Sequence, residues 1–242
     1  MDRRVRLWSQ ILAYGNGRPV GVGDVCAAAL ATVGVDRAAV TVLLDATPRE
    51  TVYASDQVTV DLQELTLTLG EGPGLAPPAT GPVLVSDLAT PESLVRWPVF
   101  APAAVRAGVR AMFVLPLLVG AARLGVLDLY RGTPGGLRPE QLADALALAE
   151  MTATLLLDGA DPAAPGAPRR WPERTAAQHP EVHQAIGMLT VQLGVSAAVA
   201  LIRLRAYAYA HDRRLRDVAG DVVARRLRLA AESGTGTDGA AP

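Results

Sequence analysis

Lysine is absent from this 242-residue sequence, and all 23 of its basic residues are arginines. A phosphate-binding loop that ends in Gly-Lys-Ser or Gly-Lys-Thr is therefore excluded. Alanine, glycine, proline and valine are abundant, a composition typical of a GC-rich genome. Arginine content alone is thus weak evidence for phosphate binding.

Cysteine and histidine are scarce. Cys26 is the single cysteine, which excludes an intramolecular disulfide and a thiolate metal cluster. His179, His183 and His211 lack the spacing of a zinc site. We therefore expect no metal and no cofactor, and we interpret Cys26 as a small core residue rather than a redox sensor.

Long apolar runs are missing too. The most apolar stretch, Ala111 to Val119, is far shorter than the roughly 20 residues that cross a bilayer. The charged start, Met1 to Leu7, is followed by an apolar run too short for a signal peptide. We expect a soluble, cytoplasmic protein that makes no use of a membrane.

No catalytic set stands out in the sequence. No Gly-x-Ser-x-Gly elbow follows a predicted strand. The glycine-rich segment Gly70 to Gly74 follows a predicted helix, which argues against a dinucleotide-binding loop. It is either a simple reversal loop, which we favour, or the lining of a ligand pocket. We expect that the protein is not an enzyme.

The first 158 residues predict an α+β domain with an antiparallel sheet and flanking helices. Apolar spacings of three and four predict helices over Gly23–Val33, Asp61–Leu69, Phe100–Ala107 and Pro139–Leu157. The inner face of the last helix is predicted to carry Leu142, Leu146, Ala149 and Leu156. Strand patterns cover Ala38–Leu44, Val52–Ser55, Val83–Val85, Ala111–Val119 and Arg123–Tyr130. The segment Asp45 to Arg49 is predicted as a turn, and Gly120 to Ala122 as a hairpin connection.

Asp128 is a candidate ligand residue within the last predicted strand. By alternation it shares a face with Val126 and Tyr130. A buried carboxylate needs hydrogen-bond partners. It is either a structural aspartate satisfied by its neighbours, which we favour, or part of a ligand pocket. In the second case the site comprises Gly70, Glu71, Gly72, Asp128 and Tyr130.

Composition divides the chain into five segments. A helical extension over 1–20 precedes the α+β domain over 21–158. Five prolines and no apolar period mark a linker over 159–180. Three helices are predicted over 181–230, and a glycine-rich, disordered tail over 231–242.

The predicted C-terminal helices form a small unit. The first covers Val182–Leu193 and ends at Gly194, and the second begins after the N-cap Ser196. The third has an apolar stripe from Leu215 to Leu227. Three short helices are marginally stable alone, so support from a partner chain or from the flanking helix is expected.

Arginines and tyrosines alternate in this C-terminal segment. Tyr207 and Tyr209 lie between clusters of arginines that outnumber the acidic residues. Guanidinium groups bind phosphates and aromatic rings stack on unpaired bases, as RNA loops require. The alternative is a solvated arginine face on ordinary helices, and charge by itself slightly favours this alternative.

Four motifs in a fixed order change that balance. They are His183-Gln-Ala-Ile-Gly-Met188, Gln192-Leu-Gly-Val-Ser196, Ala200-Leu-Ile-Arg-Leu-Arg205 and Arg214-Leu-Arg-Asp-Val-Ala219. Together they resemble the ANTAR domain, a three-helix output module of bacterial regulators that binds RNA and acts in transcription antitermination.

The preceding domain resembles a GAF domain of the kind fused to ANTAR in actinobacteria. The resemblance rests on Thr68-Leu-Gly-Glu-Gly-Pro73, Trp97-Pro-Val-Phe100, Gly108-Val-Arg-Ala111 and Leu124-Gly-Val-Leu-Asp-Leu-Tyr130. Such relatives often carry cysteine where this chain has Gly74, which argues against thiol chemistry there. No residue set indicates a cyclic-nucleotide site.

The resemblance implies a signal-responsive antitermination regulator. Small residues of the first ANTAR helix would let RNA approach closely, and basic residues of the next two helices would contact it. Many relatives have lysine where this chain has Ile186, so one cationic contact is missing. The implied RNA-binding residues are Ala185, Gly187, Arg205, Tyr207, Arg213, Arg214 and Arg216.

The implied partners follow from the same resemblance. A signal, such as an unidentified small-molecule ligand of the GAF domain, would reposition two ANTAR units of a homodimer onto tandem RNA hairpin loops. Two alternatives remain open: a DNA-binding regulator with a helix-turn-helix arrangement, and a signalling adaptor whose C-terminal helices only dimerise.

Overall fold

The computed structural model describes residues 2–44, 47–75, 81–158 and 180–229. It divides into two compact units, Met1–Gln178 and His179–Pro242. The predicted linker, except for Pro180, and the predicted tail lie outside the described residues.

The first unit is built on an antiparallel sheet with the strand order β2-β1-β5-β4-β3. Val119 and Ala122 pair across a two-residue turn, and Gly120 in that turn has φ 59°. This confirms the predicted hairpin. The strands are β1 (Arg37–Leu44), β2 (Thr47–Ala54), β3 (Val83–Val85), β4 (Ala111–Val119) and β5 (Ala122–Arg131).

Helices cover both faces of this sheet, which confirms the predicted α+β class. On one face, Leu7, Val25 and Leu148 belong to a core that includes Phe113 and Leu129. On the other face a second core contains Leu62, Phe100, Val126 and Tyr130. The helices are α1 (Arg3–Gly15), α2 (Val22–Ala29, continued by a π-turn over Leu30–Gly34), α3 (Gln57–Leu69), α4 (Pro91–Arg96), α5 (Phe100–Arg106) and α6 (Pro139–Asp158).

The N-terminal helix α1 is anchored to α6. Arg6 donates two hydrogen bonds to the carboxylate of Asp144, at 2.7 and 2.8 Å, and Arg3 donates one at 2.9 Å. Leu7 and Ile11 of α1 are fully buried. The helix is therefore an integral part of the first unit.

Two predictions for the first unit need correction. The segment up to Arg49 is not all turn, because β2 begins at Thr47. Its pairing with β1 has register shifts between Val40 and Thr41 and between Val42 and Leu44. On α6, Leu146 is 38% exposed, since Ala145 and Leu148 occupy the inner face.

The second unit consists of α7 (Pro180–Leu193), α8 (Ala197–Ala210) and α9 (Leu215–Val223). The Ser196 hydroxyl accepts a hydrogen bond from the Val199 amide at 3.3 Å, which confirms the predicted N-cap. The third helix ends earlier than its apolar stripe predicted, because Arg225 adopts a left-handed conformation with φ 58°.

No single helix in the described ranges is long and apolar enough to cross a membrane. The helices Pro180–Leu193 and Ala197–Ala210 are long and apolar enough only when taken together, and they are bent by 107° relative to each other.

Candidate functional site

A buried polar cluster lies between α3 and the sheet in the first unit. The Gln63 side-chain amide donates to Asp128 Oδ2 at 2.8 Å and to the Tyr130 hydroxyl at 2.7 Å. Its oxygen accepts from the Thr41 hydroxyl at 3.2 Å. These three bonds fix the orientation of the amide and leave Asp128 Oδ1 without a hydrogen bond.

Arg49 of β2 belongs to the same cluster. Its Nε, Nη1 and Nη2 are all buried, and none of them makes a hydrogen bond within the described part of the chain. Burial lowers the pKa of Arg49, although the nearby Asp128 carboxylate opposes this effect. A buried guanidinium without hydrogen-bond acceptors is costly to keep, which marks the position as a candidate functional site.

The loop after α3 closes over these side chains at a glycine. A Cβ atom added to Gly74 would lie 3.2 Å from Asp128 Oδ1 and 3.4 Å from Arg49 Nη1. Below the cluster, a Cβ atom on Gly125 would lie 2.1 Å from the Thr41 carbonyl oxygen. Glycine at position 125 therefore lets β1 and β5 approach closely enough to hold Thr41 in place.

Burial controls the protonation of the acidic groups in the cluster. It raises the pKa of Asp128, against the opposing effects of the Arg49 charge and the Gln63 hydrogen bond. It also raises the pKa of Tyr130 well above its ordinary value, and the Asp128 charge adds to this effect. Tyr130 is therefore a neutral hydroxyl that accepts from Gln63 and keeps its own proton for donation.

The other predicted ligand residues lie along the same loop in different surroundings. Gly70 has φ 64° and ends α3 in the exposed left-handed position. Glu71 turns away from the cluster, and its Oε1 accepts from the backbone amides of Val99 and Phe100 at 3.0 and 2.9 Å. Gly72 packs against the Phe100 ring.

The sequence prediction of this site missed Arg49 and Gln63. Arg49 was assigned to a turn by the composition of its neighbours, whereas the structure places it in a strand. A signal for Gln63 was present, because polar residues share the inner face of α3 with the buried Leu62 and Leu67. Thr59, Gln63 and Thr66 of α3 are all buried.

In the second unit, the two small residues predicted to contact RNA differ in exposure. Ala185 is fully buried and Ile186 is buried beside it, so the Ala185 methyl group serves helix packing and is out of reach of a surface ligand. Gly187 is exposed, and a Cβ atom there would meet nothing within 4 Å.

Some of the arginines predicted to bind RNA form hydrogen bonds or ion pairs with acidic residues of the same unit. Arg213 donates to Asp221 at 2.7 Å, and Arg226 donates to the same carboxylate at 2.8 Å. These bonds hold the pKa of Asp221 below its ordinary range and raise the pKa of Arg213. Arg205 is partly buried, which lowers its pKa.

Three further predicted residues lie around the start of α9 and the end of α8. Arg214 is exposed and occupies the N-cap of α9. The Nε atom of Arg216 lies 3.5 Å from Asp217 Oδ1 and forms an ion pair with it. The ring of Tyr207 stacks on His211 with centroids 3.9 Å apart and planes inclined by 16°. The His211 Nδ1 and the Tyr207 carbonyl oxygen are hydrogen-bonded at 2.8 Å.

A groove between α7 and the end of α9 has a volume of about 870 Å³. Exposed Gly187 lines it, together with Met188 and Val191 of α7. Arg225 and Arg228 line the opposite side, and neither makes an ion pair within the described ranges. The groove therefore combines an open backbone, apolar side chains and two cations, a set that sequence reasoning did not bring together.

Family models match both units. Residues 22–156, more than half of the chain, match the model of the GAF domain. The chain belongs to the GAF domain family. Residues 173–223 match the model of the ANTAR domain. The chain thus combines a GAF domain, which indicates signal sensing, with an ANTAR domain, which indicates an RNA-binding antitermination regulator.

Solved structures similar to this chain include two GAF domains of phosphoenolpyruvate-protein phosphotransferases. The one from Coxiella burnetii is 15% identical, with 65% of this chain and 94% of that chain covered and a TM-score of 0.43. The one from Acinetobacter is 9% identical, with 66% and 96% covered and a TM-score of 0.44. No match was found among curated proteins.

Proposed function

We propose that this chain is a signal-responsive transcription antitermination regulator whose ANTAR domain binds hairpin loops in nascent transcripts. It acts by binding and not as an enzyme. The proposed RNA carries tandem hairpin loops, and because each loop takes one ANTAR domain, the regulator acts as a homodimer. Its action on nascent RNA places it in the cytoplasm.

The observation that carries this proposal is the groove between α7 and α9. A guanidinium group donates paired hydrogen bonds to phosphate oxygens, so Arg225 and Arg228 are suited to the RNA backbone. Met188 and Val191 offer apolar surface to bases that are turned out of a loop. The bare backbone at Gly187 lets the RNA approach α7 closely.

The shape of this surface favours an RNA loop over duplex DNA. A duplex is read by a helix that projects into the major groove. Arg225 and Arg228, in contrast, lie beside a concave surface and beyond the end of α9. Unpaired bases of a loop can enter such a concave surface, whereas stacked bases cannot.

The left-handed conformation of Arg225 gives independent support. A residue with a side chain is strained at φ 58°, and glycine is the usual residue at this position after a helix. Strain of this kind is retained where the side chain has a function. Phosphate binding by Arg225 supplies such a function.

The double substitution Arg225→Gln and Arg228→Gln tests the proposal in the full-length protein with a tandem-hairpin RNA. We expect at least about a tenfold loss of affinity, equivalent to about 1.4 kcal/mol. We also expect the slope of log affinity against log salt concentration to become less steep by about one for each arginine removed. Arg203→Gln on α8, which does not line the groove, is the matched control.

A second double variant tests whether RNA binds the arginines predicted from the sequence instead of the groove. Arg205→Gln with Arg214→Gln removes two cations from the α8–α9 side. If this pair loses RNA while the groove pair keeps it, the RNA lies elsewhere. If neither pair lowers RNA affinity, the RNA binds outside both surfaces. If the wild type dimerises but binds no RNA, the adaptor interpretation replaces RNA binding.

A further inference from the structure

The buried cluster of the GAF domain has more hydrogen-bond donors than acceptors. Arg49 brings five N–H groups, none of them satisfied in the described part of the chain, and Tyr130 keeps its O–H. Among the side chains of this cluster, in the described part of the chain, the one acceptor atom without a hydrogen bond is Asp128 Oδ1. Buried donors without acceptors destabilise a folded domain unless something else binds them.

We propose that the signal of this GAF domain is a small organic anion whose carboxylate binds the Arg49 guanidinium and the Tyr130 hydroxyl. This inference rests on the proposed sensing function and names the chemical class of its ligand. A carboxylate supplies oxygen acceptors in the planar geometry that a guanidinium matches with two parallel bonds.

The neighbouring aspartate selects the charge of the ligand. Asp128 is 1% exposed, and Gln63 holds its Oδ2. With a monoanion beside Arg49, the cluster is neutral when Asp128 is protonated and donates its own hydrogen bond, and it carries one net negative charge when Asp128 is ionised. A phosphate dianion would place a second negative charge beside Asp128 at low dielectric, which disfavours it. The order of preference is therefore carboxylate over phosphate.

Glycine at position 74 provides the space for a ligand atom. The point where a Cβ atom would sit is close to both Asp128 Oδ1 and Arg49 Nη1, at 3.2 and 3.4 Å. Gly74 has no positive φ, so an alanine fits its backbone conformation. Gly74→Ala would thus occupy the ligand position while the Arg49 charge stays in place.

The first test measures the melting temperature of the full-length protein with acetate, propionate and benzoate at matched ionic strength. Acetamide, propionamide and benzamide are the neutral controls of the same shape, and inorganic phosphate is the competing oxyanion. We expect a saturable rise with at least one carboxylate. The matching amide should give none, and phosphate should give a smaller rise. Equal responses to acid and amide, a larger response to phosphate, or no response to any carboxylate would overturn the proposal.

Substitutions in the buried cluster test whether the rise in melting temperature comes from binding at this site. Arg49→Gln and Gly74→Ala should each abolish the carboxylate response, whereas Arg106→Gln, an exposed arginine on α5 of the same domain, should keep it. Combined with Asp128→Asn, Arg49→Gln should also melt no lower than Asp128→Asn alone without ligand, because it then removes an unsatisfied buried charge and leaves no unpaired carboxylate behind. A structural role for Arg49 would instead lower the melting temperature and leave the response of Gly74→Ala intact.

RNA affinity of the same proteins separates the two proposals. Loss of the carboxylate response with RNA binding intact counts only against the ligand assignment. Failure of the wild type to bind tandem-hairpin RNA counts against the proposed function, whatever the ligand does.

Discussion

Gly187 lies on the exposed face of α7, where alanine would stabilise the helix. Glycine in a helix interior costs about 0.5–1 kcal/mol relative to alanine. A Cβ atom at this position would meet no other atom within 4 Å, so packing does not require glycine there. Close approach of RNA to the groove that Gly187 lines, as proposed above, would account for the glycine.

Substitutions at Gly187 should therefore separate stability from binding. We expect Gly187→Ala to raise the free energy of unfolding by about 0.5–1 kcal/mol, and Gly187→Leu to lower RNA affinity about tenfold by filling the groove. Urea unfolding and RNA titration measure the two effects. Gly220→Leu on α9, also with open space at its Cβ and outside the groove, is the control. Equal RNA affinity of the two leucine variants would contradict the account.

Asp128 gives the GAF domain a characteristic dependence on pH. Its pKa in the folded protein is raised above the ordinary value of 3.8 by burial. Between the two values the folded protein binds more protons than the unfolded chain, so its stability falls as pH rises. The contribution of Asp128 to the free energy of unfolding is fully present below its ordinary pKa, and it is lost as pH rises through its raised pKa in the folded protein. The Arg49 charge and the Gln63 hydrogen bond oppose this rise in pKa, and Tyr130 is the titratable neighbour in the same cluster.

Asp128→Asn should remove this contribution. The difference in unfolding free energy between the wild type and the variant should decrease as pH rises above about 4. Asp87→Asn is a control of opposite sign, because hydrogen bonds from Arg110 and the Ala89 amide lower the pKa of Asp87. An unchanged pH profile in Asp128→Asn would show that Asp128 ionises normally in the folded protein.

At the scale of elements, local pattern predicted most of the architecture. The hairpin of β4 and β5 followed from two apolar runs around a short turn, and α8 followed from its N-cap at Ser196. The start of β2 was not predictable in the same way. Its second residue is Pro48, which favours a turn in the sequence, and its register depends on pairing with β1 across a bulge.

The candidate sites were less predictable than the elements because distant segments form them. Asp128 and Tyr130 could be placed on one face by alternation within a strand. Their contacts with Gln63 and Arg49 depend on how α3 and β2 pack on the sheet, which no local period encodes. In the ANTAR domain, the arginines after α9 reach the groove because the helix ends at Val223, before its apolar stripe reaches Leu227, and Arg225 then adopts a left-handed conformation.

Glu71 connects the loop after α3 to α5. Its carboxylate binds the Val99 and Phe100 amides, so we expect Glu71→Ala to lower the free energy of unfolding by about 1–2 kcal/mol, as for the loss of a helix cap. Glu71→Gln retains an acceptor oxygen and should lose less. Chemical denaturation of the full-length protein measures both. If Glu71→Ala keeps its stability and loses the carboxylate response, Glu71 is a ligand residue, as the sequence suggested.

At the scale of the whole molecule, α1 supports the proposed homodimer. Its outer face carries Val5, Trp8 and Leu12, at helical spacing and between 40% and 55% exposed. We expect sedimentation velocity to report a dimer for the wild type and a monomer for Trp8→Glu with Leu12→Glu. Val95→Glu, an exposed valine on α4, should leave the dimer intact. A wild-type monomer at micromolar concentration would refute the expectation.

The central claim is that this protein reads RNA loops, and affinity for three nucleic acids at one fixed salt concentration tests it most directly. They are a tandem-hairpin RNA, the same RNA with scrambled loops, and duplex DNA of equal length. Fixed salt is essential because phosphate contacts make affinity strongly dependent on ionic strength. We predict clear preference of the full-length protein for the intact loops. Equal affinity for all three, in the full-length protein and in the isolated segment 180–229 alike, would contradict the claim and leave the arginines as a generic cationic surface.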